Sequence, residues 1–524
     1  MNDAQTFIHE VMEALRPLDK AYCLGEWESS TMGTGEANTR NAAAQAAYMR
    51  FWSDPKLFER AKRLLGTGAS RDAETARQLE LIRLACSKYR QSEAAIEELT
   101  RLEAEVRGHY YTYRAVVAGR QRSDNEIEVL LRDSTDSETV REAWLASKVV
   151  GARVADAVRE LARVRNRAAR EQGWRDHFQR SLSVDEIDEA DLFATFDALD
   201  KATQAPFRAL KERIDALRAR RFGIGLEELR PWHYGDRFFQ EACSLGRDDA
   251  GPLFDGRDSV ALAAATYDGL GMDVRDILER SDLYARPGKN QHAFCINVDR
   301  CGDVRVLANA LPDKRWADTM LHELGHAVYE KYLDPGLPWL LRAPSHMLTT
   351  EAVAILMGSL TVNAEWLDRI LGIPEDRAGR IAEGARDADR AERLLFTRWC
   401  LVMTNFEKAF YEDPERDLDG LWWDLVERFQ LLRRPEGRKA PDWAAKIHIA
   451  LTPVYYQNYE LGHLVRAQLM DRLHKAGGIV GRREAGQWLI EKVFRPGASL
   501  DWTRHVQEAT GEGLDPRYFT ESVG

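Results

Sequence analysis

Apolar positions recur with helical spacing along most of this chain. Val140–Arg170, Glu189–Arg221 and Arg377–Glu407 are rich in Ala, Leu, Glu and Arg and predict long helices. Residues 1–130 read as several amphipathic helices. Gly66–Ser70 and Ser134–Ser137 punctuate the pattern. From about 285 to 308 the helical period is lost. His292–Val298 and Val304–Ala308 are strand-like, and Asp299-Arg300-Cys301-Gly302-Asp303 between them is turn chemistry, which predicts a hairpin. Helical period returns at once. Trp316, Met320, Leu324 and Val328 repeat every four residues as an apolar stripe, with Thr319, His322, Glu323 and His326 on another face. Strand-like runs are few, so the pattern predicts a mostly α protein.

That second face carries the candidate chemistry. His322-Glu323-Leu324-Gly325-His326 is an H-E-x-x-H motif. On a helix, residues four apart lie one turn apart on one side, so His322 and His326 can both aim a ring nitrogen at one Zn²⁺. Glu323 sits beside them, placed to take a proton from the attacking water instead of ligating. The bland alternative is an amphipathic helix with two satisfied histidines. Downstream, Leu348–Met357 is an apolar helical run holding a lone carboxylate, Glu351. Burying it is costly unless it is paired or bound to metal, which makes Glu351 the candidate third ligand; the alternative is an exposed turn residue. Two His, one Glu and an open fourth position describe a catalytic site with one zinc per chain, not a closed structural one.

Two flanking segments bear on the same chemistry. The hairpin could offer a strand edge to an extended peptide through main-chain hydrogen bonds, or be purely structural. Near the C-terminus, Lys446-Ile447-His448 precedes Pro453-Val454-Tyr455-Tyr456-Gln457-Asn458-Tyr459. Pro453 suits the first turn of a helix, and Tyr456 and Tyr459 then share a face. Such phenols and imidazoles can donate to a developing oxyanion or simply pack as core aromatics.

Composition narrows the classes. The chain has 524 residues, 44% hydrophobic, enough for a large core, and a formal net charge of −11. The negative balance argues against nucleic acid as a partner, and Arg218–Arg221 reads as a solvated helix face. No apolar run is long enough for a membrane span, and the N-terminal residues do not read as a signal peptide. Cys23, Cys86, Cys243, Cys295, Cys301 and Cys400 are scattered without metal spacing. They read as reduced thiols, so the expected compartment is the cytoplasm.

Taken together these motifs resemble the zinc metallopeptidases whose third ligand is a glutamate. The nearest are the angiotensin-converting enzyme (peptidyl-dipeptidase) family and the thimet oligopeptidase and oligoendopeptidase family. Three segments carry the likeness: His292-Ala293, which looks like the family's His-Ala on its substrate-binding strand; His322–His326 with Glu351; and Lys446-Ile447-His448 with the tyrosines after it. The resemblance implies a two-lobed helical ellipsoid around a deep cleft, forming a single catalytic unit over 1–524. Residues 1–284 would be a mainly helical lobe and lid, and 285–524 the zinc-binding and substrate-binding part. It implies hydrolysis of short peptides, with release of C-terminal dipeptides. His292 and His448 would bind the substrate carbonyl or transition state, and Tyr459 would stabilise the oxyanion. Lys446 and Tyr456 would hold the terminal carboxylate. Tyr455 would replace Tyr456 if the one-residue insertion after His448 is placed differently. Ile355 stands where the family has an acidic partner for a zinc histidine, Gln457 where animal members have a chloride-binding arginine, and Gln291 where secreted members have a cysteine. Alternatives are an endo-acting oligopeptidase or carboxypeptidase, a zinc hydrolase of a non-peptide amide or biosynthetic intermediate, and an inactive binding protein. Glu323 argues against the last, since a binder needs no base.

Overall fold

The computed structural model describes residues 2–66, 72–242 and 250–523. It is a mostly α protein, and the three long helices stand where the pattern places them, at Ser137–Glu171, Glu189–Phe222 and Glu375–Glu412. Local chemistry fixes their ends. Asp136 and Asp188 accept the amides of Thr139 and Asp191 at the first two N-termini, satisfying donors that a helix leaves unpaired. Gly223, at φ 65°, closes the second. The break at Ser134–Ser137 is the cap between Asp124–Asp133 and the helix after it. The earlier break begins as expected at Gly66, the last residue of Pro55–Gly66; residues 67–70 lie outside the described residues, as does Cys243.

The chain folds into two compact units. The first comprises Met1–Arg90, Asp248–Arg386 and Leu461–Phe519, the second Gln91–Arg247, Asp387–Glu460 and Thr520–Gly524. The chain passes between the two units more than once.

In the first unit, Asp3–Met32, Gly35–Trp52, Pro55–Gly66 and Ala73–Tyr89 pack around Phe7, Val11, Leu15, Trp52, Leu79 and Ile82. This unit also holds the hairpin. Strand Phe294–Asn297 pairs antiparallel with Val304–Leu307, in the register Phe294↔Leu307 to Asn297↔Val304. Both strands are shorter than the alternating sequence suggests. His292 and Ala293 precede the first strand, and Arg300 (φ 56°) and Gly302 (φ 116°) make the turn. In the second unit the indoles of Trp144, Trp399 and Trp443 are fully buried. Here lies a second hairpin that the helical reading of residues 1–130 omits, Ala115–Val117 with Arg120–Arg122. Ala118 (φ 51°) and Gly119 (φ 71°) form its two-residue turn, the left-handed pair that matches strand twist. Pro453 does not begin a helix. It lies in a turn between Ile447–Leu451 and Tyr456–Lys475, because Val454 after it takes a left-handed φ of 54°, which no helix contains. No helix among the described residues is long and apolar enough to cross a membrane.

Candidate metal centre and carboxylate-binding cluster

The motif helix runs Lys314–Lys331, capped by Asp313, whose Oδ1 accepts the Trp316 amide at 2.8 Å. Met320, Leu324 and Val328 of its apolar stripe are buried and Trp316 half-buried; Leu321 and Gly325 are buried as well. The Tyr267 hydroxyl donates to Leu321 O at 2.6 Å. On another side the Asn297 amide, from the hairpin, donates to Glu330 at 2.9 Å, which places the hairpin beside this helix. The third neighbour is Met347–Gly358, which carries Glu351. The two helices approach at Gly325, where an added Cβ would stand 2.9 Å from Ala354 Cα. A glycine there lets Glu351 reach the histidines.

One nitrogen from each of His322 and His326 and one oxygen of Glu351 lie within 4.8 Å of one another. His322 Nε2 is 3.7 Å from Glu351 Oε1, and His326 Nε2 is 3.6 Å from Oε2. Those gaps are too long for hydrogen bonds. Two donors each about 2.05 Å from one tetrahedral zinc stand about 3.3 Å apart, so the spacing is nearer that of donors sharing an ion. The side chains keep 29%, 17% and 24% of their surface, so solvent can reach them.

Electrostatics point the same way. Burial lowers the His322 pKa to about 4; burial and then His322 lower that of His326 to about 3. Both rings are therefore neutral, the form that ligates, and make no ion pair with Glu351. Burial raises Glu351 to about 7, and burial followed by Glu351 raises Glu323 to about 8. Two carboxyls without a positive partner beside two neutral imidazoles fit a bound dication, which would reverse those upward shifts. Thr350 adds an orienting contact. Its hydroxyl lies 2.8 Å from His326 Nδ1, which leaves Nε2 for a metal. No described residue hydrogen-bonds His322 Nδ1, in keeping with Ile355 at the position of the acidic partner.

The second unit gathers the C-terminal candidates. Lys446 is no surface lysine: it is 8% exposed, with its Nζ 5.2 Å from the ring centres of Phe238 and Trp399 and 5.6 Å from that of Tyr456. Its Nζ donates to Gln240 Oε1 at 2.8 Å. No carboxylate pairs with it among the described residues, and burial brings its pKa down to about 8. Tyr456, not Tyr455, is the tyrosine beside it; Tyr456 also packs 5.2 Å from the His448 ring. Tyr455 lies edge-on to Tyr459 at 5.0 Å, and Tyr459 is 5.6 Å from Tyr456. His448, Lys446 and the three tyrosines thus form one cluster. His322, Glu323, His326 and Glu351 form another, in the first unit. His292 is exposed on the approach to its strand, where its amide donates to Asn290 Oδ1 at 3.0 Å; Ala293 follows, half-buried.

Sequence reasoning did not name Thr350 or Gln240. Thr350 neighbours the proposed ligand, and a hydroxyl there is a detectable signal. Gln240 lies 206 residues from Lys446, and no local pattern marks it.

The chain is similar to two families of metallopeptidases. The model of Peptidase family M3 matches residues 277–524, which include every candidate site residue from His292 to Tyr459. The model of Angiotensin-converting enzyme matches residues 1–205. Carboxypeptidase 1 of Bacillus subtilis (strain 168) is 25% identical over 260 residues, covering 44% of this chain and 51% of that protein. The chain thus spans about half the length of this curated relative.

Proposed function

We propose that this protein is a zinc-dependent peptidase acting on short peptides near a free C-terminus. The observation that carries the metal part is the convergence of His322, His326 and Glu351, with Glu323 beside them. Zinc held by those three residues would polarise the scissile carbonyl and lower the pKa of the attacking water. Glu323 takes a proton from that water and passes it to the leaving amine. The Tyr459 hydroxyl, with His292 or His448, donates to the oxyanion. The strand after Ala293 pairs through its main chain with an extended substrate; its edge away from Val304–Leu307 has no strand partner among the described residues.

Lys446 supports the exopeptidase reading. A buried ammonium without a carboxylate partner is costly, and a substrate carboxylate would relieve that cost through charge-assisted hydrogen bonds. Gln240 and Tyr456 flank it, and the name of the Bacillus subtilis relative agrees. Release of C-terminal dipeptides is the form we propose. The compartment we infer is the cytoplasm, where the thiols of Cys23, Cys86, Cys295, Cys301 and Cys400 stay free; recovery from an oxidising compartment would contradict it.

The test is kcat/KM on a matched pair of peptides, one with a free C-terminal carboxylate and one amidated, for wild type and Lys446→Ala. We expect wild type to prefer the acid at least about tenfold, the worth of one charge-assisted hydrogen bond, and Lys446→Ala to lose that preference. Products identified by mass distinguish dipeptide from single-residue release. Equal cleavage of both peptides at an internal bond would replace this reading with an endo-acting oligopeptidase.

A further inference from the structure

We propose that Glu407 is a positioning residue whose buried carboxyl holds the Val454 turn in a left-handed conformation and thereby sets the placement of Tyr456 and Tyr459. The inference rests on the peptidase reading above for its functional consequence, and on backbone geometry for its physical basis. Val454 has φ 54° and is 2% exposed. For a β-branched residue that conformation is an outlier, a strained state that persists only where its surroundings impose it.

Two contacts impose it here. The Val454 N–H donates to Glu407 Oε1 at 2.7 Å, and the Val454 carbonyl accepts from Gln457 Nε2 at 2.6 Å. Glu407 and Gln457 are each 1% exposed, so neither contact competes with water. The turn is short. Ile447–Leu451 ends just before it, held from outside by Arg165, whose guanidinium donates to Ala450 O at 2.7 Å. Tyr456 opens the next helix. A change at Val454 therefore rotates the start of that helix and the tyrosines on its first turn.

The helix Glu375–Glu412 aligns both ends of this arrangement. Phe396 and Glu407 are eleven residues apart, three turns, and so lie on one face. Phe396 backs Tyr456 and Tyr459 at 6.3 and 6.1 Å, and Trp399 meets Tyr456 at 5.8 Å. The face that fixes the phenol rings thus also carries the carboxyl that fixes their backbone. Gln457 is occupied in clamping the same turn.

The experiment compares wild type with Glu407→Gln, Glu407→Met, Val454→Gly and the Glu407→Met/Val454→Gly double variant. Glu407→Gln keeps an oxygen acceptor and should stay close to wild type. Glu407→Met keeps volume but removes the acceptor. We expect its kcat to fall at least about tenfold with KM little changed, since small misplacements of reacting groups cost that much or more. Glycine holds a positive φ without help, so the double variant should recover most of the lost kcat. Melting temperature gives a second readout that needs no activity: the shift caused by Val454→Gly should be more favourable in the Glu407→Met background than in wild type. A purely structural acid would lower stability without that selective rescue. Should Glu407→Met fail to fold, Gln457→Met removes the other arm of the clamp and carries the same expectations. Full kcat in a folded Glu407→Met, or no selective rescue by Val454→Gly in either readout, would overturn the proposal. If wild type cuts no peptide, the peptidase reading fails by itself and the melting-temperature rescue still decides whether the clamp exists.

Discussion

Gly325→Ala probes the packing that brings Glu351, the proposed third ligand, to the histidines. The new methyl would stand 2.9 Å from Ala354 Cα and 3.4 Å from its amide nitrogen. Carbon atoms in contact settle at about 3.5–4.0 Å, so the two helices must separate by roughly 0.6–1 Å at this point. The obstacle is backbone and cannot swing aside. Overpacking of this kind costs about 1–3 kcal/mol. Glu351 lies one turn before Ala354 and moves with it, whereas ligand distances in a metal site tolerate about ±0.2 Å. We therefore expect zinc affinity to fall at least about tenfold, the lower end of what displaced supporting contacts cost, together with a lower urea midpoint. Competition against a chromophoric chelator measures the first and equilibrium unfolding the second. An unchanged midpoint would refute the close approach at Gly325. A lower midpoint with wild-type zinc affinity would refute the coupling of that approach to Glu351.

Thr350→Val is nearly isosteric but removes the hydroxyl at His326 Nδ1. We expect a loss of about 10–100-fold in zinc affinity, largely restored in Thr350→Ser, and equal affinities in wild type and Thr350→Val would count against the contact. A pH effect follows from Glu407, whose carboxyl is pushed up to about 8 by burial, against the lowering influence of the Val454 amide and Arg165. The folded state then keeps a proton that the unfolded chain releases above about pH 4.3. The stability this contributes is fully present below that pH and is lost as pH rises through about 8. Glu407→Gln cannot titrate, so its stability should change less than wild type across that window; parallel curves would contradict the shift.

The candidate metal cluster was legible because its chemistry is local. His322, Glu323 and His326 sit on one turn of one helix, and Glu351 is conspicuous as the lone carboxylate in an apolar run. The long helices were legible for the same reason, their period and caps being written in neighbouring residues. What escaped depends on tertiary packing. Pro453 looks like a helix start, but Glu407, forty-seven residues before Val454, accepts the Val454 amide and holds a turn instead. Lys446 could have been an exposed loop residue; its burial comes from Phe238, Trp399 and Tyr456. Whether Tyr455 or Tyr456 lies beside that lysine turns on where the helix begins, which the sequence pattern places only to within a residue or two.

The most direct measurement is turnover of Glu323→Gln at known zinc content. The substitution preserves shape and touches no ligand, but the amide cannot accept a proton. With metal analysis giving one zinc per chain in both proteins, kcat on a free-acid peptide should fall by at least about a hundredfold, the range expected for losing a general base. Wild-type turnover in a zinc-loaded Glu323→Gln protein would contradict the assignment of Glu323 as the base.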